Sequence, residues 1–104
     1  MILYSRSGRN TTVHMIELRT GEKREISIDF TSAADREGTT VSSVTWSVAE
    51  GQDVVTVSGE SLTSNVATAL IAIDDEWDGH ASISVKATMA DTQIIYEIID
   101  IEVI

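Results

Sequence analysis

Residues 74–79 read DDEWDG, which sets Asp74, Asp75, Glu76 and Asp78 around Trp77 and closes on Gly79. Carboxylates this dense suit a hard cation, and Asp74, Glu76, Asp78 and Gly79 match the opening of an EF-hand calcium loop. That loop needs a bidentate Glu at its twelfth position, because calcium takes about six to eight oxygens. Counted from Asp74, that position is Val85, which the surrounding alternation assigns to the core. The flanks also read as strands rather than helices. An improvised calcium site on these acids stays open as an alternative. The expectation is a solvated turn between strands, with Trp77 folded over the end of the fold, and no metal.

Acid–base chemistry fares no better. Paired-carboxylate hydrolases hold two groups across a cleft with one pKa raised, whereas neighbouring acids on a turn are hydrated and point apart. His14 and His80 are the two imidazoles of the chain, and there is no cysteine. His14 stands close to Glu17 in the chain, but no serine sits in a nucleophile-elbow pattern. Cysteine-ligated zinc, thiol catalysis and disulfides are excluded together. No enzymatic activity and no cofactor are expected.

The elements that would position any site are strands. Glu25–Thr31 (EISIDFT) alternates Ile26, Ile28 and Phe30 against polar residues. Val41–Val48 does the same with Val44, Trp46 and Val48, and Ala81–Met89 with Ala81, Ile83, Val85, Ala87 and Met89. This period of two marks half-buried strands. Asn65–Ile73 is rich in alanine, yet its length and β-branched ends favour a strand. Thr20-Gly21, Ser32–Gly38, Glu50-Gly51, Ser58-Gly59 and Ala90–Thr92 read as turns or polar connections. In Gln93–Ile104 the doublets Ile94-Ile95 and Ile98-Ile99 break the phase, which predicts a bulge or burial on two sides. Ile99, Ile101 and Val103 face inward at its end. About seven such strands without helical periodicity predict an all-β, immunoglobulin-like antiparallel β-sandwich. Trp46 is its expected core anchor.

With 104 residues, the chain makes one domain. The expected division is a flexible N-terminal arm over 1–12 and a sandwich over 13–104. Net charge is −10, unevenly spread. Through Arg36 there are six Lys/Arg and five acids; from Glu37 onward Lys86 alone faces twelve acids. An acidic body repels nucleic acid and anionic lipid, so neither is an expected partner. No apolar run is long enough to span a bilayer and no secretory signal opens the chain, which predicts a soluble protein made in a cytoplasm.

The run ISIDFTSAADREGTTVSSVTWSV, then VVTVSG, a strand to AIDD, and finally WDGHASISVKATMADTQIIYEIIDIEVI resembles the small immunoglobulin-like fiber–tail adaptors of tailed bacteriophages. The likeness spans roughly residues 24–104 and rests on Asp29-Phe30, a polar loop and the Ser43–Trp46 strand. It departs at Gly79-His80-Ala81, where that family carries an aromatic. TWSV, VVTVSG and GHASISVKATMAD also look like bacterial immunoglobulin-like group 2 modules. Those occur as repeats, whereas this chain has its own Met and one copy, which favours a virion component. The resemblance implies an adaptor at neck or tail of the virion, assembled in the host cytoplasm in multiple copies and bound to other virion proteins. A capsid decoration protein and a cell-surface or carbohydrate-binding module are the alternatives.

The expected partner-binding residues follow from two features. Ile2, Leu3 and Tyr4, with Arg6 and Arg9, form an apolar and basic arm. Ile94, Tyr96 and Ile98 would form an outward apolar row if the opposite face of their strand packs inward. The alternative is that residues 1–12 fold back over that row.

Overall fold

Alternation along the chain becomes two layers. The computed structural model describes residues 1–5, 12–75 and 79–104. Among these, the strands are β1 (Ile2–Tyr4), β2 (Thr12–Leu18), β3 (Lys23–Asp29), β4 (Val41–Glu50), β5 (Val55–Thr63), β6 (Val66–Ile73), β7 (Gly79–Met89) and β8 (Ile94–Val103). One helix, α1 (Thr31–Glu37), lies between β3 and β4. The strands form two four-stranded sheets, ordered β1-β3-β6-β5 and β2-β8-β7-β4. This is the all-β, immunoglobulin-like sandwich that the alternation predicts, with eight described strands instead of about seven.

The pairing is not wholly antiparallel. β1 runs parallel to β3, and β2 parallel to β8. Tight hairpins force antiparallel neighbours, as at β7–β8. β2 reaches β8 from the other end of the chain, and no hairpin fixes its direction.

The core is the sum of the inward rows. Ile26 and Ile28 of β3, Ile71 of β6, Ile83 and Val85 of β7, and Ile99 and Ile101 of β8 are fully buried. Each large side chain of this kind contributes roughly 1.5–3 kcal/mol. Trp46 is buried among them, as its strand position predicts. β6 is the alanine-rich stretch, and it is a strand. Its Ala67 and Ala69 turn inward beside β3, while Leu70 is exposed.

Four local expectations need correction. The polar connection Ser32–Gly38 is largely helical. Asp29 Oδ1 accepts the Thr31 N–H at 2.9 Å, Ala33 and Ala34 are buried, and Gly38 closes the helix at φ 67°. So β3 ends at Asp29 and Thr31 belongs to the helix. Ser58-Gly59 does not end a strand but opens a register shift within β5, between Ser58 and Ser61.

β8 is not bulged. It pairs residue for residue with β7 from Gly79↔Val103 to Thr88↔Ile94. The apparent slip in phase arises because an acid, Glu97, occupies a core-facing position in line with Ile95 and Ile99.

The fourth correction concerns the arm. Ile2–Tyr4 is a strand whose Leu3 sits opposite Ile28 and packs on the core. Backbone bonds from Ser27 N to Met1 O (2.9 Å) and from Ser5 N to Asp29 O (3.0 Å) extend the pairing. An exposed edge of β3 needs hydrogen-bond partners, and the first five residues supply them. The boundary at 12/13 falls inside β2, since Thr12 already pairs with Glu97.

Candidate functional site

The outward rows of β2, β8 and β7 build one continuous face. On β8 the outward positions are Ile94, Tyr96, Ile98, Asp100 and Glu102, because their neighbours Ile95, Glu97, Ile99, Ile101 and Val103 are buried. On β2 they are Val13, Met15 and Glu17. The β2–β8 register places Val13 beside Ile98, Met15 beside Asp100 and Glu17 beside Glu102. On the other side, Lys86 stands beside Tyr96 and His80 beside Glu102.

This face is apolar at one end and acidic at the other. Met15 is 83% exposed, Val13 53%, Ile94 47% and Tyr96 45%. Ile98 is half-buried between them. At the acidic end an open groove of about 590 Å³ is lined by Met15, Glu17, His80, Asp100 and Glu102. His80 Nδ1 lies 3.3 Å from Glu50 Oε2, and its Nε2 4.0 Å from Asp100 Oδ1.

The predicted row Ile94, Tyr96 and Ile98 is therefore outward, and Val13 and Met15 extend it. Sequence reading missed these two, although V-x-M alternates with His14, Ile16 and Leu18 and carries the signal. Ile2, Leu3 and Tyr4 lie apart from the row, on the other sheet at the edge of β3, with Ile2 and Tyr4 exposed. They do not cover it. Arg6 and Arg9 lie outside the described residues, as do Glu76, Trp77 and Asp78. Of the acidic turn, Asp74 accepts the Gly21 N–H at 3.1 Å and donates its own N–H to Val54 O at 2.8 Å. Among the described residues no group of three or more acids and histidines is placed to hold a metal.

A second feature lies beneath the face. Glu97 is fully buried, with Oε2 at 3.3 Å from His14 Nε2. Among the described residues its Oε1 has no hydrogen-bond partner, and neither has Trp46 Nε1. The two residues share one cross-strand row, since Trp46 pairs with Val85 and Val85 with Glu97. His14 is thus a neighbour of Glu97 rather than of Glu17. No sequence pattern marked that contact, because an isolated acid among isoleucines reads as a break in phase.

No protein-family model and no curated protein matches the sequence. Solved structures do share its fold. A nucleoside hydrolase-related hypothetical protein from Saccharophagus degradans, associated with carbohydrate metabolism, aligns at TM-score 0.60 and 19% identity over 88% of this chain. An endo-fucoidan hydrolase of glycoside hydrolase family 107 aligns at 0.59 and 13% over 89%. This chain spans 22% and 15% of those two proteins respectively. The cysteine protease inhibitor EhICP2 of Entamoeba histolytica aligns at 0.56 and 7% identity, over 99% of this chain and 95% of its own. At these identities the likeness is one of fold.

Proposed function

We propose that this chain is a protein-binding module, an adaptor in a tailed-phage particle that attaches a fiber or neighbouring component at neck or tail. The observation that carries the binding role is the uncovered apolar row of Ile94, Tyr96 and Ile98, widened by Val13 and Met15. Exposed apolar groups gathered on a flat sheet face have the character of an interface core, and flanking polar residues that of its rim. The phage context rests on the resemblance of residues 24–104 to the immunoglobulin-like adaptors. In a symmetric particle, many copies add weak contacts into a strong attachment. Binding, orientation and valency would do the work, without a chemical step.

The test is co-expression with the products of the flanking genes, followed by size-exclusion chromatography and mass spectrometry of purified particles. A stable complex that is lost in Tyr96→Ser, and the chain's presence in neck or tail fractions, are expected. Absence from both would end this reading.

A second reading is an accessory module that binds carbohydrate. It is favoured by the fold's occurrence as a small part of the endo-fucoidan hydrolase and of the Saccharophagus protein, and by an exposed Tyr96 able to stack on a sugar ring. Calorimetric titration with fucoidan oligosaccharides separates the two. Heat of binding abolished by Tyr96→Ala would favour the accessory module.

A further inference from the structure

The β2–β8 face changes character along both strands in step. Outward residues run Val13, Met15, Glu17 on β2 and Ile94, Tyr96, Ile98, Asp100, Glu102 on β8. The parallel register brings Glu17 directly beside Glu102. Like charges opposed on adjacent strands repel. Among the described residues neither has an ion pair, and His80 is engaged with Glu50 and Asp100. The acidic end thus carries negative charge that a partner's cation would relieve.

β2 is also the outermost strand of its sheet, with β8 on one side and no described strand on the other. Such an edge offers backbone donors and acceptors to a further strand. A strand added there would set its own outward side chains alongside Val13, Met15 and Glu17. A cation opposite Glu17 would reach over Met15 into the groove of about 590 Å³, where Asp100 and Glu102 also stand.

We propose that the β2 edge takes an extended, basic segment of a partner protein as an added strand, with two apolar side chains beside Val13 and Met15 and an Arg or Lys beside Glu17. This rests on the protein-binding reading and names the partner's chemistry. Charge complementarity selects the occupant. A second copy of this chain, at net charge −10, would approach against repulsion.

The test titrates the full chain into a fluorescein-labelled peptide that alternates threonine with isoleucine, isoleucine and arginine, read by fluorescence anisotropy. A control peptide carries glutamate in place of arginine. The arginine peptide should bind at least about tenfold more tightly, and added salt should narrow the gap. In Glu17→Lys the preference should shrink markedly, with Asp100 and Glu102 still present in the groove. Circular dichroism melts confirm that this exposed substitution leaves the fold intact. Equal affinities, no binding to the wild-type chain, or a preference untouched by Glu17→Lys would overturn the proposal. Self-association of the wild-type chain in sedimentation, competing with the arginine peptide, would give the edge to a second copy instead. Failure here is distinct from failure of the adaptor role. A Glu17→Lys chain that still enters particles while Tyr96→Ser does not removes the added strand and keeps the adaptor. Peptide binding as expected, with the wild-type chain absent from particles, does the reverse.

Discussion

His14 Nε2 stands 3.3 Å from Glu97 Oε2 along a diagonal of the β2–β8 pair, at the wall of the sandwich core. Glu97 is fully buried, and its other oxygen has no partner among the described residues. A buried carboxyl group with half its hydrogen-bonding capacity unmet loses hydration that a single contact does not restore. Replacing such a pair by apolar residues of similar volume is neutral or stabilising by about 1–4 kcal/mol. The double variant His14→Leu, Glu97→Leu should therefore melt at or above the wild-type temperature. Calorimetry decides this, and a clear drop in Tm would show that the pair holds β2 onto β8.

The β2–β8 face should be separable from stability. Met15 is 83% exposed, so Met15→Ser removes little packed surface. Substitutions at such a site change stability by less than about 0.5 kcal/mol. The unfolding free energy of Met15→Ser in urea should stay within that range. Tyr96→Ser, at a residue 45% exposed, should lose about 1 kcal/mol and stay folded. Complex formation with the partner should meanwhile fall by about tenfold or more for Tyr96→Ser. A large loss of stability would mean that this face is held against the rest of the molecule.

The sandwich was legible because its inward rows keep strict alternation: Ala81, Ile83, Val85, Ala87 and Met89 of β7 are all buried as read. β8 was harder. Its alternation is unbroken in space, but Glu97 holds an inward slot, and a rule that equates inward with apolar sees a shift of register there. The helix at Thr31–Glu37 left no amphipathic signal, since the residues it buries are Ala33 and Ala34. The outward row at Ile94, Tyr96 and Ile98 was readable from β8 alone. Its extension through Val13 and Met15 depends on a parallel pairing between distant segments, which no local pattern encodes.

Glu22 gives the chain a defined pH signature. Its carboxyl pKa is lowered below the ordinary 4.5, chiefly because Oε1 accepts the Arg19 backbone N–H at 2.9 Å. Partial burial works the other way, and the neighbouring Arg24 guanidinium adds to the lowering. A group with a depressed folded-state pKa favours folding above its unfolded pKa, and that contribution disappears as pH falls through the folded value. The stability difference between wild type and Glu22→Gln should thus be full at neutral pH, shrink below about pH 4.5, and vanish once Glu22 is protonated in both states. Urea denaturation at a series of pH values reads this directly. A difference independent of pH would assign the loss to packing.

Two glycines with positive φ should respond differently to alanine. Gly38 has φ 67°, and a Cβ there meets nothing within 4 Å. Gly51 has φ 87°, and its added Cβ would lie 3.1 Å from the Cβ of buried Ala81. Gly38→Ala carries the left-handed penalty alone, on the order of 1–2 kcal/mol. Gly51→Ala adds crowding against β7 and should cost measurably more. Equal losses in urea denaturation would show that Ala81 yields without cost.

Deleting Met1–Ser5 tests whether the N-terminus is an arm or part of the sheet. Leu3 packs on the core opposite Ile28, Ser5 is fully buried, and Ser27 and Asp29 of β3 bond to this segment. Losing Leu3's contact and the strand's hydrogen bonds should cost about 1–3 kcal/mol. The uncovered β3 edge would then be free to pair with another molecule. A lower Tm and concentration-dependent association in sedimentation are the expected outcomes. An unchanged Tm with a monomeric chain would show that β1 contributes nothing in the free protein. If particle incorporation were then lost as well, Ile2–Tyr4 would be a contact made with a partner.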